Sequence, residues 1–260
     1  MAQNKTLTMN TTHAVLLINL GSPNSTSIKD VRSYLREFLM DKYVIDLPWP
    51  LRALLIYGII LPTRPKKTAK AYQEIWTDRG SPLVATSIDQ TQLLQKQVNF
   101  PVELAMRYGE PPIESTLQRL AAQGIRQVTL APLYPQFADS TTTTVIQEAR
   151  RVVRTHDLGV QLSILQPFYE EPEYLEALVA SARSYLEQPF DHLLLSFHGL
   201  PERHLHKSDP TGAHCLKGDD CCQRAEGEVL ASCYRAQCMR TAAGFAARAG
   251  LRDDQWSGSF

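Results

Sequence analysis

At 260 residues, 43% hydrophobic and 21% charged, the chain has the composition of an ordinary globular protein with a core in one or two domains. Its 27 basic and 27 acidic side chains cancel, so no global field favours nucleic acid or an acidic partner. The polar stretch Met1–Thr12 has no apolar segment and no cleavage pattern, which gives no signal for export and points to the cytoplasm.

In chain order, Ala14–Leu20 (AVLLINL) reads as a buried strand closed by Gly21-Ser22-Pro23. A helix follows, with Val31, Tyr34, Leu35, Phe38 and Leu39 at helical spacing and Ser25 or Ser27 as its cap. The turn GSPNST lacks G-x-G-x-x-G, which argues against a nucleotide site. The longest apolar stretch, Leu51–Leu61, contains Arg52 and is bounded by Pro48, Pro50 and Pro62. It is about half the roughly 20 residues needed to span a bilayer, and composition alone makes it a core helix. Its other reading is a lip that touches a membrane or a large apolar ligand.

Lys66–Trp76 reads as a helix stopped by Gly80-Ser81-Pro82, and Ser87–Gln97 as another. Val102–Tyr108 is a strand with Arg107 and Tyr108 at its carboxyl end, Ile113–Gln123 a helix closed by Gly124, and Val128–Leu133 the next strand. The hydroxyl run Ser140–Thr144 is positioned to cap a helix reaching about Arg154. Val160–Leu165 and His192–Phe197 then read as strands, separated by a helix over Glu173–Leu186, and the last helix spans Tyr234–Ala249. Alternating strands and helices with short turns predict parallel α/β sheets. The interruption His156-Asp157-Leu158-Gly159 predicts a boundary, giving a first α/β domain over 1–156 and a second over 157–260.

Two features of the second half carry chemistry. The run Leu193-Leu194-Leu195-Ser196-Phe197-His198-Gly199-Leu200-Pro201 reads as a short buried strand ending in a sharp turn. His198 then stands at a strand's carboxyl end, where open α/β sheets form their crevices, and an imidazole there binds a metal or carries a proton. The plainer reading is a strand-end histidine bonded to a loop. All five cysteines fall between Cys215 and Cys238, in the pattern Cys215-x5-Cys221-Cys222-x10-Cys233-x4-Cys238. Without an export signal, this clustering argues for a metal or cluster rather than a disulfide framework.

Five segments together resemble the ferrochelatases, enzymes that insert ferrous iron into a porphyrin. They are Leu20-Gly21-Ser22-Pro23, the span from Arg64 through Tyr72 to Gly80-Ser81-Pro82, Met106-Arg107-Tyr108, Leu133-Tyr134-Pro135-Gln136-Phe137 with the Ser/Thr run, and Ser196-Phe197-His198-Gly199-Leu200-Pro201. The resemblance covers about residues 14–260 and implies two similar Rossmann-like, chelatase-type α/β domains with a porphyrin cleft between them. It implies that His198 faces that cleft as metal ligand or base, and that protoporphyrin IX and ferrous iron are the substrates. By the same resemblance Arg64 contacts a porphyrin propionate, and Tyr72, Ser81, Arg107 and Tyr108 match porphyrin-contacting or cleft-base positions. Packing for Tyr72 and a strand-end salt bridge for Arg107 and Tyr108 stay open as plainer readings. Leu20 stands where the coproporphyrin-specific branch tends to carry tyrosine, which leans toward protoporphyrin. The stretch 48–62 resembles the lip over the cleft, with possible peripheral membrane contact.

The sequence also departs from the family. A glutamate paired with the histidine follows the last strand in the family, and the resemblance implies that the second domain is incomplete here. That leaves a fragment unable to turn over, or a chelatase for another metal or tetrapyrrole, as alternative readings. The cysteine-rich insertion, 208–238, resembles a bacterial subgroup that binds a [2Fe–2S] cluster through four internal cysteines. Cys215, Cys222, Cys233 and Cys238 are then the expected ligands, with Cys221 left out because adjacent cysteines do not readily both point inward. Zinc also accepts four thiolates, and His214 is a possible substitute ligand.

Overall fold

The computed structural model describes residues 12–260, so the stretch 1–11, on which most of the expectation about export rests, lies outside it. The chain packs as two units, residues 12–133 with Asp139–Leu165, and Tyr134–Ala138 with Gln166–Phe260.

The first unit is built on a four-stranded parallel sheet. Its strands are β1 (His13–Ser22), β2 (Val102–Gly109), β3 (Gln127–Pro132) and β4 (Gln161–Ile164), in the order β2-β1-β3-β4. Helices cover both faces of such a sheet, which is why β1 is an unbroken apolar run rather than an alternating one. Leu16, Leu17 and Ile18 are all buried, and Leu17 lies opposite Leu104 of β2 and Ala131 of β3. The first unit therefore reaches past the interruption at residues 156–159 to include β4. At the carboxyl end of the sheet β1 and β2 approach closely around Gly21. A Cβ there would meet the Tyr108 carbonyl oxygen at 1.7 Å, and the backbone has φ +98°, so only glycine is tolerated.

The helices of this unit are α1 (Ile28–Leu39), α2 (Trp49–Leu55), α3 (Leu61–Thr63), α4 (Pro65–Ile75), α5 (Pro82–Gln95), α6 (Ile113–Ala122) and α7 (Thr144–Thr155). Ser27 caps α1, its hydroxyl accepting from the Asp30 N–H at 3.1 Å. Helix α5 begins five residues earlier than the periodicity predicts. Pro82 opens it rather than ending the previous helix, because a first-turn residue needs no N–H partner. The hydroxyl run also differs from expectation. It winds into a π-helical turn, Asp139–Thr143, tied by a Thr143 to Asp139 hydrogen bond of 2.7 Å, and no side chain caps α7. The apolar stretch after Pro48 is not core. Helices α2 and α3 are joined by a π-helical turn, Ile56–Ile60, and expose Trp49, Leu51, Leu54 (69%), Tyr57 and Ile59, while Arg52, Ile56 and Leu61 are buried. Arg52 is buried because its guanidinium donates to the carbonyls of Ile45 and Leu47, at 3.3 and 2.9 Å.

The second unit holds a two-stranded parallel sheet, β5 (Leu193–Ser196) with β6 (Trp256–Ser259), and helices α8 (Pro172–Leu186), α9 (Glu202–Ser208), α10 (Gly227–Ser232) and α11 (Tyr234–Arg248). The expected burial of the Leu193–Leu195 run is corrected here. Among the described residues β5 pairs with β6 alone, and Leu194 on its open face is 59% exposed. Helix α11 is the organising element. Its buried Gln237 accepts from the Phe137 N–H at 2.6 Å and donates to the Leu230 and Ala231 carbonyls at 2.8 and 3.1 Å. Thr241 ties Gln136 and the Tyr169 carbonyl to the same face, at 2.9 and 2.7 Å. Gly244 lets α8 come close, since a Cβ there would lie 2.6 Å from Leu175. No helix among the described residues is long and apolar enough to cross a membrane.

Candidate functional site

In the first unit the candidate residues gather at the carboxyl end of the sheet. Arg107 and Tyr108 end β2, and both reach Asp41, which sits just past α1. The Arg107 guanidinium donates to Asp41 Oδ2 at 2.6 Å and the Tyr108 hydroxyl to the same oxygen at 2.9 Å. Thr144 Oγ1 also donates to Asp41 Oδ2 and accepts from Arg107 Nε at 2.7 Å. One buried carboxylate thus satisfies a cation and two hydroxyls, as a buried charge requires. Burial pushes the Tyr108 phenol well above its ordinary range, and Arg107 only partly offsets this. Arg107 makes a strand-end salt bridge, with Asp41 as the partner that sequence reasoning missed. No periodicity or motif marks Asp41, because its role depends on a chain reversal that brings it to β2.

An aromatic row runs from this cluster. Arg107 lies over the Tyr108 ring at 4.4 Å, Tyr108 meets Phe38 edge-on at 5.2 Å, and Phe38 stacks with Tyr34 at 5.9 Å. Tyr34 then meets Tyr72 at 6.4 Å, and Tyr72 meets Trp76 at 6.1 Å. The structure therefore connects Tyr72 to Tyr108 through two residues of α1. Burial raises the Tyr72 phenol above its usual range. Leu20 is half-buried at the end of β1, and its N–H donates to the Asn19 side chain at 2.8 Å. Ser81 is buried at the start of α5, its carbonyl accepting the first helical bond from Ala85 at 2.9 Å. Arg64 is exposed at the start of α4 and has no ion-pair partner among the described residues.

In the second unit His198 stands two residues beyond β5 and is exposed. Its loop is held by β6: the Phe197 N–H donates to the Ser259 carbonyl at 2.9 Å, and the Phe197 ring stacks on Phe260 at 5.7 Å. Arg235 of α11 lies over the Phe260 ring at 5.3 Å.

The cysteines are all free and all buried. Cys215, Cys221, Cys222 and Cys233 pack into one pocket with Ala225, Val229 and Ala236, and the Cys215 and Cys233 sulfurs are 3.9 Å apart. Cys221 thus lies with the group, whereas Cys238 sits one turn into α11. Asp209 anchors the loop that carries Cys215. It accepts from the N–H groups of His214 and Cys215 at 2.8 Å each, and from the Thr211 N–H and hydroxyl at 3.0 and 2.7 Å. These donors, the Cys215 N–H foremost, hold its carboxyl well below the usual range. His214 uses Nε2 on the Cys221 carbonyl at 2.7 Å.

Cys233 is the N-cap of α11, its sulfur accepting from the Ala236 N–H at 3.5 Å. A hydrogen bond from Cys222, together with the helix amides, favours the thiolate there, while burial pushes Cys215 up to about 12. The thiols are thus gathered where one thiolate is stabilised, although no three of His, Cys, Asp or Glu among the described residues stand in metal-ligand geometry. The pocket offers four buried thiols, the donor type and number that a thiolate-bound group requires, without the arrangement of a metal site.

The family profile described as Ferrochelatase matches residues 12–260. A relative named Ferrochelatase from Stutzerimonas stutzeri (strain A1501) is 71% identical over 255 residues, covering 96% of this chain and 73% of the relative. Those from Ectopseudomonas mendocina (strain ymp) and Pseudomonas syringae pv. syringae (strain B728a) are 68% and 66% identical over 251 residues, with the same coverage. A profile match across both units, together with identities this high over nearly the whole chain, means that the chain belongs to the ferrochelatase family.

Proposed function

We infer that this protein inserts ferrous iron into protoporphyrin IX to form protohaem, as a lyase-type metal chelatase of haem biosynthesis. The observation that carries this is the match of the ferrochelatase family profile over residues 12–260. The inert-fragment alternative is not favoured.

The chemistry requires two pyrrole N–H protons to leave as a dication enters the ring. A neutral imidazole accepts a proton or offers a lone pair to the incoming ion, and His198 is the candidate for that role. Its exposure on a loop held by a strand supports the reading, since the ring must reach a substrate while its backbone stays fixed. Arg64 is proposed to bind a propionate. A guanidinium matches a carboxylate with two hydrogen bonds, and this one is exposed and uncommitted. Tyr72, Ser81 and Leu20 are proposed porphyrin contacts. Arg107 and Tyr108 are proposed to form the floor of the site through Asp41, a role that needs a fixed charge pattern rather than a free cation.

The cysteine pocket is proposed to hold a [2Fe–2S] cluster, with zinc as the competing occupant. Cys215, Cys222, Cys233 and Cys238 are the proposed ligands, and Cys221, which packs with the first three, is the competing fourth. Such a cluster would supply structural or redox-sensing chemistry, since iron insertion transfers no electrons. The stretch 48–62 is proposed to touch a membrane peripherally from the cytoplasmic side, supported by its exposed Trp49, Leu51, Leu54, Tyr57 and Ile59.

The test is to supply ferrous iron and protoporphyrin anaerobically and follow haem absorption. Haem formation that exceeds cobalt insertion is the expected result, and no turnover with any metal would overturn the assignment. Anaerobically purified protein should show iron–sulfur absorption that is lost on Cys222→Ser and on Cys238→Ser; retention on Cys238→Ser with loss on Cys221→Ser would make Cys221 the fourth ligand. Colourless protein with stoichiometric zinc would replace the cluster with zinc.

A further inference from the structure

Beside the cysteine pocket, within the second unit, lies a groove of about 400 Å³ that the proposed chemistry leaves unused. Small-molecule sites usually enclose about 300–1,000 Å³, so its size suits a compact ligand. Helix α11 supplies one wall. Ala236, Met239, Arg240 and Ala243 follow at the spacing i, i+3, i+4, i+7, which places them on one face, and Arg235 borders them. Strand β6 supplies a second wall through Trp256. Strand and helix come close here because Gly258 has no side chain: a Cβ on it would lie 3.1 Å from the Met239 sulfur. The cysteine-rich insertion closes the third side with Asp219, Cys222 and Gln223.

The charges on these walls do not cancel. Two guanidiniums face one carboxylate, Asp219, and neither Arg235 nor Arg240 has an ion-pair partner among the described residues. The neighbouring Asp220 does not neutralise them, since it pairs with Arg224 at 2.9 Å. Arg235 lies over the Phe260 ring at 5.3 Å. A guanidinium held over a ring keeps its N–H edge free for an anion. Cys222 forms part of the same wall, and at 9% exposure it is the most open of the five cysteines, the others being at 0–5%.

We infer that this groove is a binding site for small anions, and that Arg235 and Arg240 give anionic molecules preferred access to Cys222. The ligand it suits is a compact molecule with a carboxylate, sulfonate or phosphate for the guanidiniums and a flat or apolar body for Trp256, Met239 and Ala243. Cations in a cleft raise the local concentration of anions, so the groove selects by charge which small reagents reach the cysteine pocket. That task stands apart from iron insertion.

The test reads Trp256 and Cys222 in the full chain. Trp256 fluorescence, taken as the difference from Trp256→Phe, is quenched at constant ionic strength with iodide, an anion, and with acrylamide, which is neutral. Replacing both arginines, Arg235→Gln with Arg240→Gln, should lower the iodide quenching constant at least about threefold and leave that of acrylamide unchanged. Raising the ionic strength should weaken iodide quenching of the unaltered chain. In the chain freed of metal by an anaerobic chelator, Cys222 is alkylated with iodoacetate or with neutral iodoacetamide and followed by peptide mass. In both reactions the sulfur forms a bond to carbon, iodide leaves, and the thiol proton goes to solvent. The ratio of the iodoacetate rate to the iodoacetamide rate should exceed that of the urea-unfolded chain by at least about tenfold, and the double arginine variant should remove the excess. Equal iodide quenching with and without the arginines overturns the anion site. A rate ratio no higher than in the unfolded chain, or a Cys222 closed to both reagents, overturns the access to Cys222. Quenching is read on the folded protein as purified, so the site is tested whatever the thiols hold.

Discussion

Asp41 shows how much depends on one carboxylate. It accepts from Arg107, Tyr108 and Thr144; its side chain is almost completely withdrawn from water and that of Arg107 is largely so. Removing one partner of a buried pair leaves the other charge uncompensated. Asp41→Ala should therefore cost about 3–5 kcal/mol in denaturant unfolding, and a loss below about 1 kcal/mol would show that Arg107 finds water instead. Asp209 has a different consequence, a dependence on pH. Its folded carboxyl is held below the ordinary value, so the stabilisation it gives is complete above about pH 4 and fades as the pH falls further. Exchange protection at the His214 and Cys215 amides should follow that course, and Asp209→Asn should flatten it. Protection that persists unchanged in Asp209→Asn would mean that the loop is held by other contacts.

At the scale of elements, what the sequence disclosed follows from periodicity, and what it hid follows from partners. The strands β1, β2 and β3 were legible because a sheet covered on both faces demands continuous apolar runs. The same rule misreads β5, where Leu194 faces solvent, because three leucines look alike whether one face or two are covered. The start of α5 was missed because Gly80-Ser81-Pro82 reads equally as a stop and as a first turn. His198 and the cysteine pocket were visible as residue types at telling positions. Asp41 was not, since its contacts depend on tertiary geometry.

The stretch α2 to α3 is the clearest case where composition points the wrong way. An amphipathic element whose apolar side is exposed needs something to cover it. Beside it, Lys29, Arg32 and Arg36 line a groove of about 680 Å³ that also includes Tyr57 and Leu61. Apolar side chains next to cations suit an anionic bilayer surface. Replacing Leu51, Leu54 and Tyr57 together by serine should reduce flotation with anionic vesicles by at least about tenfold, given roughly 0.8 kcal/mol per buried methylene. Raising salt should weaken the unaltered protein's binding. Equal flotation of the triple variant would place the membrane contact elsewhere, or nowhere.

At the scale of the whole molecule, each unit carries a distinct share of the proposed machinery. The first supplies a rigid, charge-balanced floor and the residues assigned to porphyrin contact. The second supplies one histidine on a loop held by β6, and a thiol pocket at the head of α11. The central claim is that iron enters the porphyrin through His198. It is tested most directly by giving the full chain and its His198→Ala variant protoporphyrin with ferrous iron under anaerobic conditions and measuring the initial rate of haem formation. The account predicts a loss of at least about a hundredfold in kcat for the variant, the scale of a removed general base, with porphyrin binding retained. A variant within about twofold of the normal rate would contradict it.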